Sequence, residues 1–281
     1  MATNKKTTAV KKQEQAPPPA PKHYTEVAGL EGIDDEMIIV PRVKLIQPLS
    51  VEVDEYKIEP GSLVNSLTKE LLAKPEGQFL IVPLMVARSR ILFRPLDEGG
   101  GLQCRSADGI YGVGDPGGTC VDDNGQPNCP YALWETDKKT GKNKPPKCTE
   151  YLNVVVMPLT DKRELIPGNE MPLVLSFGKT SMQAGKMLIS LIRMRKISPW
   201  HYCYSIKSKF TKKDNYKYYV LQTSPAERAP SKLIDYMEEF YHMMKSTPTE
   251  IHIDENEIKR EQAKAESATD SSGKEDDVPP F

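Results

Sequence analysis

The chain has 281 residues with a formal net charge of −1, and 38% of its residues are hydrophobic. This length allows one large domain or two small ones. It contains no apolar run of about 18 residues, which excludes a membrane-spanning helix. The lysines near the start are not followed by the apolar stretch of a signal peptide, so the sequence predicts a cytoplasmic protein without membrane contact.

Composition divides the chain into a middle that can fold and two polar ends. Residues 1–22 carry five lysines against Glu14 alone, and residues 249–281 carry ten acidic against four basic side chains. Such segments bury too little apolar area to offset the entropy lost on ordering. The sequence therefore predicts a disordered basic arm at 1–22, a folded domain at 23–245 and a disordered acidic tail at 246–281.

Apolar, β-branched runs predict six strands in the middle of the chain. The longest run contains Pro83, which would break a helix, so it is interpreted as a long bent strand. The polar residues 208–215 are interpreted as the loop of a hairpin between the last two strands. The predicted strands are Met37–Gln47, Gln78–Phe93, Tyr151–Met157, Pro172–Phe177, Trp200–Lys207 and Tyr216–Gln222.

Two segments have the apolar periodicity of helices. One covers residues 179–197, and the other runs from Ser231, the predicted N-cap, to about Lys245. Several strands with two helices predict a mainly β protein, an OB-fold-like β-barrel, in which residues 97–150 form an insertion.

Two motifs of nucleotide-binding proteins occur out of context. Gly178 begins a Gly-Lys-Thr triplet, yet the P-loop requires a further glycine five residues earlier, where Leu173 stands. Residues 112–117 match G-x-G-x-x-G but follow no apolar strand. No Ser-His-Asp set or carboxylate pair is evident, so the sequence predicts a binding protein and not an enzyme.

Four of the five cysteines lie in the insertion, which is rich in glycine, proline and lysine. Free cysteines are usually found in apolar cores. Four thiolates can instead hold Zn²⁺ tetrahedrally, and metal binding then supplies the folding energy. The sequence predicts one structural Zn²⁺, with His201 as an alternative ligand and Cys203 as a strand or core cysteine. The predicted ligands are Cys104, Cys120, Cys129 and Cys148.

Residues 193–219 combine eight basic side chains with seven aromatic ones, against Asp214 alone. Lysines neutralise phosphates, and each base stacked on an aromatic ring contributes about 1–3 kcal/mol. Strand alternation predicts that Trp200, Tyr202 and Tyr204 share one face, although some of these rings are expected in the core. The predicted DNA-contacting residues are Arg88, Arg90, Arg94, Arg193, Arg195, Lys196, Trp200, Tyr202, Tyr204, Lys207, Lys209, Phe210, Lys212, Lys213, Tyr216 and Tyr218.

Exposed aromatic side chains favour single strands over duplex, because they need unstacked bases. No helix has the layout of a helix-turn-helix. The predicted function is sequence-tolerant binding and protection of single-stranded DNA, with residues 23–245 as the DNA-binding domain. The alternative is a zinc-stabilised adaptor or transcription factor that binds protein or duplex DNA.

The end of the sequence, residues 274–281, resembles the acidic tip of bacterial single-stranded-DNA-binding proteins. In that family, aspartates precede an aliphatic residue, proline and phenylalanine. The resemblance implies that Asp276, Asp277, Pro280 and Phe281 bind replication or recombination proteins. A zinc-bearing insertion in a DNA-binding barrel with an acidic tail is also similar to phage helix-destabilising proteins of the T-even kind. That similarity implies a phage-encoded protein of DNA replication, recombination or repair in a bacterial host.

Overall fold

The computed structural model describes residues 40–245 apart from 137–140, 142, 168–170 and 214–215. The predicted arm and tail therefore lie outside the described residues. The helices are Val51–Glu55 (α1), Met182–Arg195 (α2) and Ser231–Met244 (α3). The strands are Arg42–Leu45 (β1), Leu63–Asn65 (β2), Leu71–Ala73 (β3), Phe79–Phe93 (β4), Leu102–Ser106 (β5), Tyr111–Gly114 (β6), Gly118–Thr119 (β7), Glu135–Thr136 (β8), Asn143–Lys144 (β9), Thr149–Leu159 (β10), Leu173–Gly178 (β11), Tyr202–Lys213 (β12) and Tyr216–Arg228 (β13).

One sheet organises the described part of the chain, and β4 is its branching strand. The order is β3-β2-β1-β11-β10-β4, with β1 parallel to β11 and the other neighbours antiparallel. The far edge of β4 is shared by two partners. Residues 79–81 pair with β12, whereas residues 90–93 pair with β5. Strands β5, β6 and β7 extend the sheet on that second half, and β8 and β9 form a separate pair.

The long strand bends where the sequence predicts it. The register of β4 against β10 shifts between Val155, opposite Met85, and Val156, opposite Pro83. Leu84 is the extra residue, which makes this a β-bulge. A bulge tolerates a proline because the ladder is interrupted there, and it bends the strand.

Each face of the sheet is covered by one long helix. One core cluster joins α2, through Leu188, to residues such as Phe177 and Ile206. The other joins α3, through Met237 and Phe240, to residues such as Val82. Because strand residues alternate between the two faces, neighbours such as Ile81 and Val82 contribute to opposite clusters.

The mainly β class is confirmed, but the described sheet does not close into the OB-fold-like barrel that the sequence predicts. In the described residues, the backbone ladders leave the sheet open between β13 and β3. The side chain of Gln47, just after β1, bridges to the backbone of β13 near this gap. The amide of Gln47 donates from Nε2 to the carbonyl oxygen of Tyr219 at 2.9 Å and accepts from its N–H at 2.9 Å. One amide group replaces the continuous ladder that a barrel would have.

Both predicted helices form, and the structure adds the five-residue α1, which is too short for a periodic signal. Ser231 is the first residue of α3 and not its cap, because Pro230 occupies the capping position. Proline has no N–H to lose there, and its carbonyl accepts from the N–H of Leu233 and Ile234. Gly178, from the P-loop-like triplet, packs against the ring of Tyr151, which a Cβ would strike.

Candidate functional site

The basic, aromatic hairpin is longer and more regular than the sequence predicts. Strand β12 continues to Lys213 and β13 begins at Tyr216. Most of the predicted loop is therefore strand, and only residues 214–215, outside the described part, separate the two. Antiparallel pairing is continuous from Tyr204 to Lys213. The outer half of the hairpin extends past Phe79, the start of β4, because Ile206 is already opposite Phe79.

One face of the hairpin runs from the core to an exposed basic end. Ile206 lies in the core, and two residues further out Ser208 is opposite Leu221. Next comes Phe210 opposite Tyr219, and last Lys212 opposite Lys217. Directly paired residues share a face of the sheet. The order along this face is therefore apolar core, aromatic pair, lysine pair.

The aromatic pair is ordered by its neighbours. The rings of Phe210 and Tyr219 meet edge to face with centroids 5.5 Å apart. Tyr219 packs on Gly61, where any Cβ would collide with the ring and where φ is +92°. Phe210 is the outer ring, with 42% of its surface exposed. An exposed phenylalanine on a fixed support offers an apolar face to a ligand.

The lysine pair lies at close range. Because the N–H and C=O of Tyr219 both bond to Gln47, the Phe210–Tyr219 pair is not hydrogen-bonded within the ladder. Alternation makes Lys212 and Lys217 a pair of the same type, in which opposing side chains lie closest. Both side chains are exposed, and neither forms an ion pair with any residue that the structure describes.

The opposite face of the hairpin adds further charge. Lys207 and Lys209 are both exposed there. Lys213 and Tyr216 pair at the end of the ladder, and their side chains lie outside the described structure. Tyr218, opposite Thr211, is buried. The structure thus brings together most of the predicted hairpin lysines but gives Tyr218 a core position.

The prediction that Trp200, Tyr202 and Tyr204 share a strand face is wrong for Trp200. That residue precedes β12 in a 3-10 turn, Pro199–His201. Its ring is only 6% exposed and lies 4.8 Å from the ring of Tyr241 in α3. Tyr204 is buried in the cluster under α2, on the other face of the sheet. Neither ring presents a face to a base.

Arg195 holds the end of α2 against the start of β12. Its guanidinium lies 3.5 Å from the centre of the Tyr202 ring and donates to the Tyr204 hydroxyl at 3.3 Å. Burial raises the pKa of Tyr204, and the nearby positive charge of Arg195 opposes that rise. Arg193 and Lys196 are exposed beside it. Arg195 thus has a structural role, whereas its two neighbours are open to solvent.

Arg88 and Arg90 of β4, and Arg94 directly after that strand, do not continue the hairpin path. Arg88 lies nine residues beyond Phe79 in the direction away from the hairpin tip, about 30 Å along a strand. Arg88 and Arg90 lie 3.9 and 3.5 Å from the carboxylate of Glu150. Arg90 is 6% exposed, whereas Arg94 is exposed. Strand distance and burial therefore separate these residues from the lysines.

A cysteine cluster occupies this second half of β4. The register places Arg90 between Glu150 and Ser106, and in the next row Leu92 is opposite Cys104. Cys148 immediately precedes β10, whose first residue, Thr149, is opposite Ile91. Continuing that register places Cys148 on the other side of Leu92. Arg90, Ser106, Cys104 and Cys148 are therefore on one face of the sheet.

Two loops carry the other cysteines to this face. The sulfurs of Cys104 and Cys120 lie 3.0 and 3.4 Å from the point where a Cβ of Gly112 would be. The N–H of Cys129 lies 3.4 Å from the carbonyl oxygen of Cys120, and Cys148 N–H donates to the Tyr131 oxygen at 2.8 Å. All five cysteines are free thiols.

The ionisation of the thiols reflects this proximity. Burial raises the pKa of Cys148 to about 11; the positive charge of Arg90 opposes the rise, and the other three thiols of the cluster add to it. Burial also raises the pKa of Cys120, with contributions from Cys104 and Cys129. Four cysteines distant in sequence therefore lie within electrostatic reach of one another.

The cluster is not arranged as a finished metal site. Among the residues that the structure describes, no group of three or more His, Cys, Asp or Glu side chains has metal-binding geometry. Cys203 is buried beneath α3 in the separate core cluster, as predicted for a core cysteine. His201 adjoins that same cluster, on the half of β4 that pairs with β12. The structure therefore gives no support to His201 as an alternative ligand.

Sequence reasoning missed an exposed apolar group in the cysteine-rich segment. Trp134 is 67% exposed, and Tyr111 and Val113 are exposed on β6. Gly112 lies between these two and faces the sulfurs, so alternation points Tyr111 and Val113 away from the cluster. These residues overlap the G-x-G-x-x-G match at 112–117, which gives no sign in the sequence that its neighbours form an exposed strand.

The predicted partner-binding residues Asp276, Asp277, Pro280 and Phe281 lie outside the described residues. Within the described part of the chain, no helix has the length and apolarity needed to cross a membrane.

These features define a mainly β protein with an open sheet, a protruding basic hairpin and a clustered set of free thiols. A family model, Pam3 phage gp34-like protein, matches residues 10–250. The chain belongs to this phage-related family, which supports the predicted phage origin. No curated protein and no solved structure matches this chain.

Proposed function

We propose that this protein binds single-stranded DNA with little sequence preference, through the outer half of the β12–β13 hairpin. In this role it would protect single strands during phage DNA replication, recombination or repair. The observation that carries the proposal is the pairing of Lys212 with Lys217 beside the exposed ring of Phe210.

The lysine pair destabilises the free protein but would favour the binding of an anion. Like charges directly opposite each other on a sheet are destabilising. No described carboxylate offsets the repulsion between Lys212 and Lys217. A bound phosphate would do so, because a polyanion supplies negative charge to both ammonium groups. The pair is therefore typical of an anion-binding surface.

The adjacent ring favours a single strand over duplex. Phe210 stands two residues inward from Lys212 on the same face, which is about 7 Å along a strand. A single strand can place a phosphate on the lysines and an unstacked base on the ring. Duplex DNA keeps its bases stacked and offers the ring nothing to contact. In addition, α2 and α3 lie on opposite faces of the sheet and do not form a helix-turn-helix.

Competition measures this preference directly. A fluorescent oligo-dT bound to the full-length protein is titrated with unlabelled oligo-dT or with duplex of equal length, at two salt concentrations. The unlabelled single strand should displace the probe at lower concentration, and the affinity should fall steeply with salt. Equal competition by duplex, or affinity independent of salt, would contradict the proposal.

A protein-binding adaptor is the second candidate, favoured by the exposed Trp134, Tyr111 and Val113. Exposed apolar groups of this size commonly mark protein contacts. The variant Trp134→Ser distinguishes the two functions. Single-strand affinity should be unchanged in this variant if the hairpin is the DNA site, whereas an adaptor would lose its partner.

A further inference from the structure

We propose that Cys104, Cys120, Cys129 and Cys148 bind one Zn²⁺ through their sulfur atoms, with Arg90 buried beside them as the balancing positive charge. The proposed site does not depend on the DNA-binding proposal. The cysteines adjoin residues 90–93 of β4, whereas the hairpin adjoins residues 79–81.

The donor set is suitable for zinc. Four thiolates form a closed tetrahedral site in structural zinc proteins. Here the four sulfurs come from three parts of the chain: Cys104 from β5, Cys120 and Cys129 from the following loops, and Cys148 from the residue before β10. A single ion would therefore link segments that few apolar contacts hold together.

Gly112 lets two of the sulfurs approach the backbone of β6, and the ion would have to draw all four into the tetrahedral geometry that they lack in the structure. Gly112 lies on β6 where a Cβ would be 3.0 Å from the sulfur of Cys104 and 3.4 Å from that of Cys120. Gly112 thus keeps a side chain away from these two thiols.

Arg90 is difficult to explain without a negative charge in this space. A buried cation is costly unless it is paired and hydrogen-bonded. The Nε of Arg90 has no hydrogen-bond partner among the described residues. The nearest carboxylate, Glu150, is 3.5 Å away, is itself partly exposed and also lies near Arg88. Zn²⁺ with four thiolates carries a net charge of −2, which a neighbouring guanidinium would partly balance.

Metal content of the full-length protein tests the ligand set. Protein purified under reducing conditions without added metal should contain one Zn²⁺ per chain by elemental analysis. Cys104→Ser and Cys148→Ser should each lose most of it, whereas Cys203→Ala, in the other core cluster, should retain it. Cobalt exchanged into the parent protein should give the absorption bands of tetrahedral thiolate coordination. Absence of bound metal with no cobalt bands, or disulfides among these cysteines, would overturn the proposal.

Arg90 is tested by zinc affinity, measured against a chelator of known strength. Arg90→Gln should weaken zinc binding by roughly 10–100-fold, the usual effect of removing a partner behind the ligands. Arg88→Gln is the matched control, since Arg88 is an exposed neighbour on the same strand and should retain affinity. Arg90→Lys keeps the charge and should recover part of the loss. Emission from the buried Trp200, measured with Trp134→Phe as the shared background, reports folding in each variant. Equal zinc affinity in Arg90→Gln and Arg88→Gln would remove Arg90 from the site.

Discussion

If the hairpin binds single-stranded DNA as proposed, its paired lysines should have opposite effects on the stability of the free protein and on its affinity for DNA. Lys212→Glu converts a like-charge pair into an attractive one, which should stabilise the free protein by about 0.2–1 kcal/mol. The same change places a negative charge on the phosphate path and should weaken single-strand binding. Thermal unfolding and oligo-dT titration measure the two effects.

A matched charge reversal separates this local effect from net charge. Lys232→Glu changes the net charge equally but lies exposed on α3, away from the hairpin. It should leave DNA affinity near the parent value, and it is a control for affinity alone, because a carboxylate in the first turn of α3 should itself stabilise the helix. If Lys212→Glu bound oligo-dT as well as Lys232→Glu does, the lysine pair would not be part of the DNA site.

The salt dependence of single-strand affinity is expected to report how many phosphates the lysines contact. Replacing both Lys212 and Lys217 by alanine should lower the slope of log affinity against log salt by about 0.7 per lost contact on a single strand. Phe210→Ala should reduce affinity by about 1–3 kcal/mol and leave the slope unchanged, because stacking releases few ions. A change of slope in Phe210→Ala would assign that residue an electrostatic role.

The cost of burying charge explains which residues of the candidate hairpin site could be predicted from the sequence. Clustered lysines indicate a surface because charges are rarely buried, and Lys207, Lys209, Lys212 and Lys217 are indeed exposed. The sequence does not show which aromatic residues are exposed, because an aromatic ring can pack in a hydrophobic core as well as stack on a nucleic-acid base. Trp200 is buried because it packs on Tyr241, 41 residues later in the chain, whereas Phe210 is exposed in the outer half of the hairpin.

At the level of elements, the two tryptophans report on different parts of the fold. Trp200 lies between the sheet and α3, whereas Trp134 lies exposed in the cysteine-rich segment. In Trp134→Phe, the remaining Trp200 should emit at short wavelength and resist quenching by acrylamide. In Trp200→Phe, the remaining Trp134 should emit at long wavelength and be quenched readily. The reverse pattern would contradict the packing of α3 on Trp200.

Strands were largely predictable because local alternation and β-branched runs specify them. The predicted hairpin loop was wrong because its polar residues, 208–213, continue the ladder. Glu76 supports that ladder through its N–H, which donates to the Ser208 hydroxyl at 2.8 Å. Such support comes from a segment more than 100 residues away in sequence. Local composition carries no information about it.

At the scale of the whole molecule, sheet closure was the least predictable property. Closure depends on which strands become neighbours, and the sequence does not specify strand order. The parallel pairing of β1 with β11 joins residues about 130 positions apart. The cysteine cluster was more accessible to prediction, because four thiols in a segment poor in aliphatic residues already implied a shared role. The structure places Arg90 on the same face of the sheet as Cys104 and Cys148, and this position depends on the register of β4 between β5 and β10.

Charge segregation along the chain leads to a last prediction. Residues 249–281 carry a side-chain charge of −6, whereas residues 193–219 carry +7. At physiological salt, where the Debye length is about 8 Å, the acidic residues compete with DNA only when they lie near the basic surface. Deleting 249–281 should therefore raise single-strand affinity, and the gain should shrink as salt is added. A variant with the ten acidic residues replaced by their amides keeps the length and should show at least this gain, because its four basic side chains remain. Phe281→Ala leaves the charge unchanged, so it should not alter DNA affinity and should affect only a partner that binds the acidic tip. Weaker DNA binding after the deletion would instead place the acidic segment within the binding site.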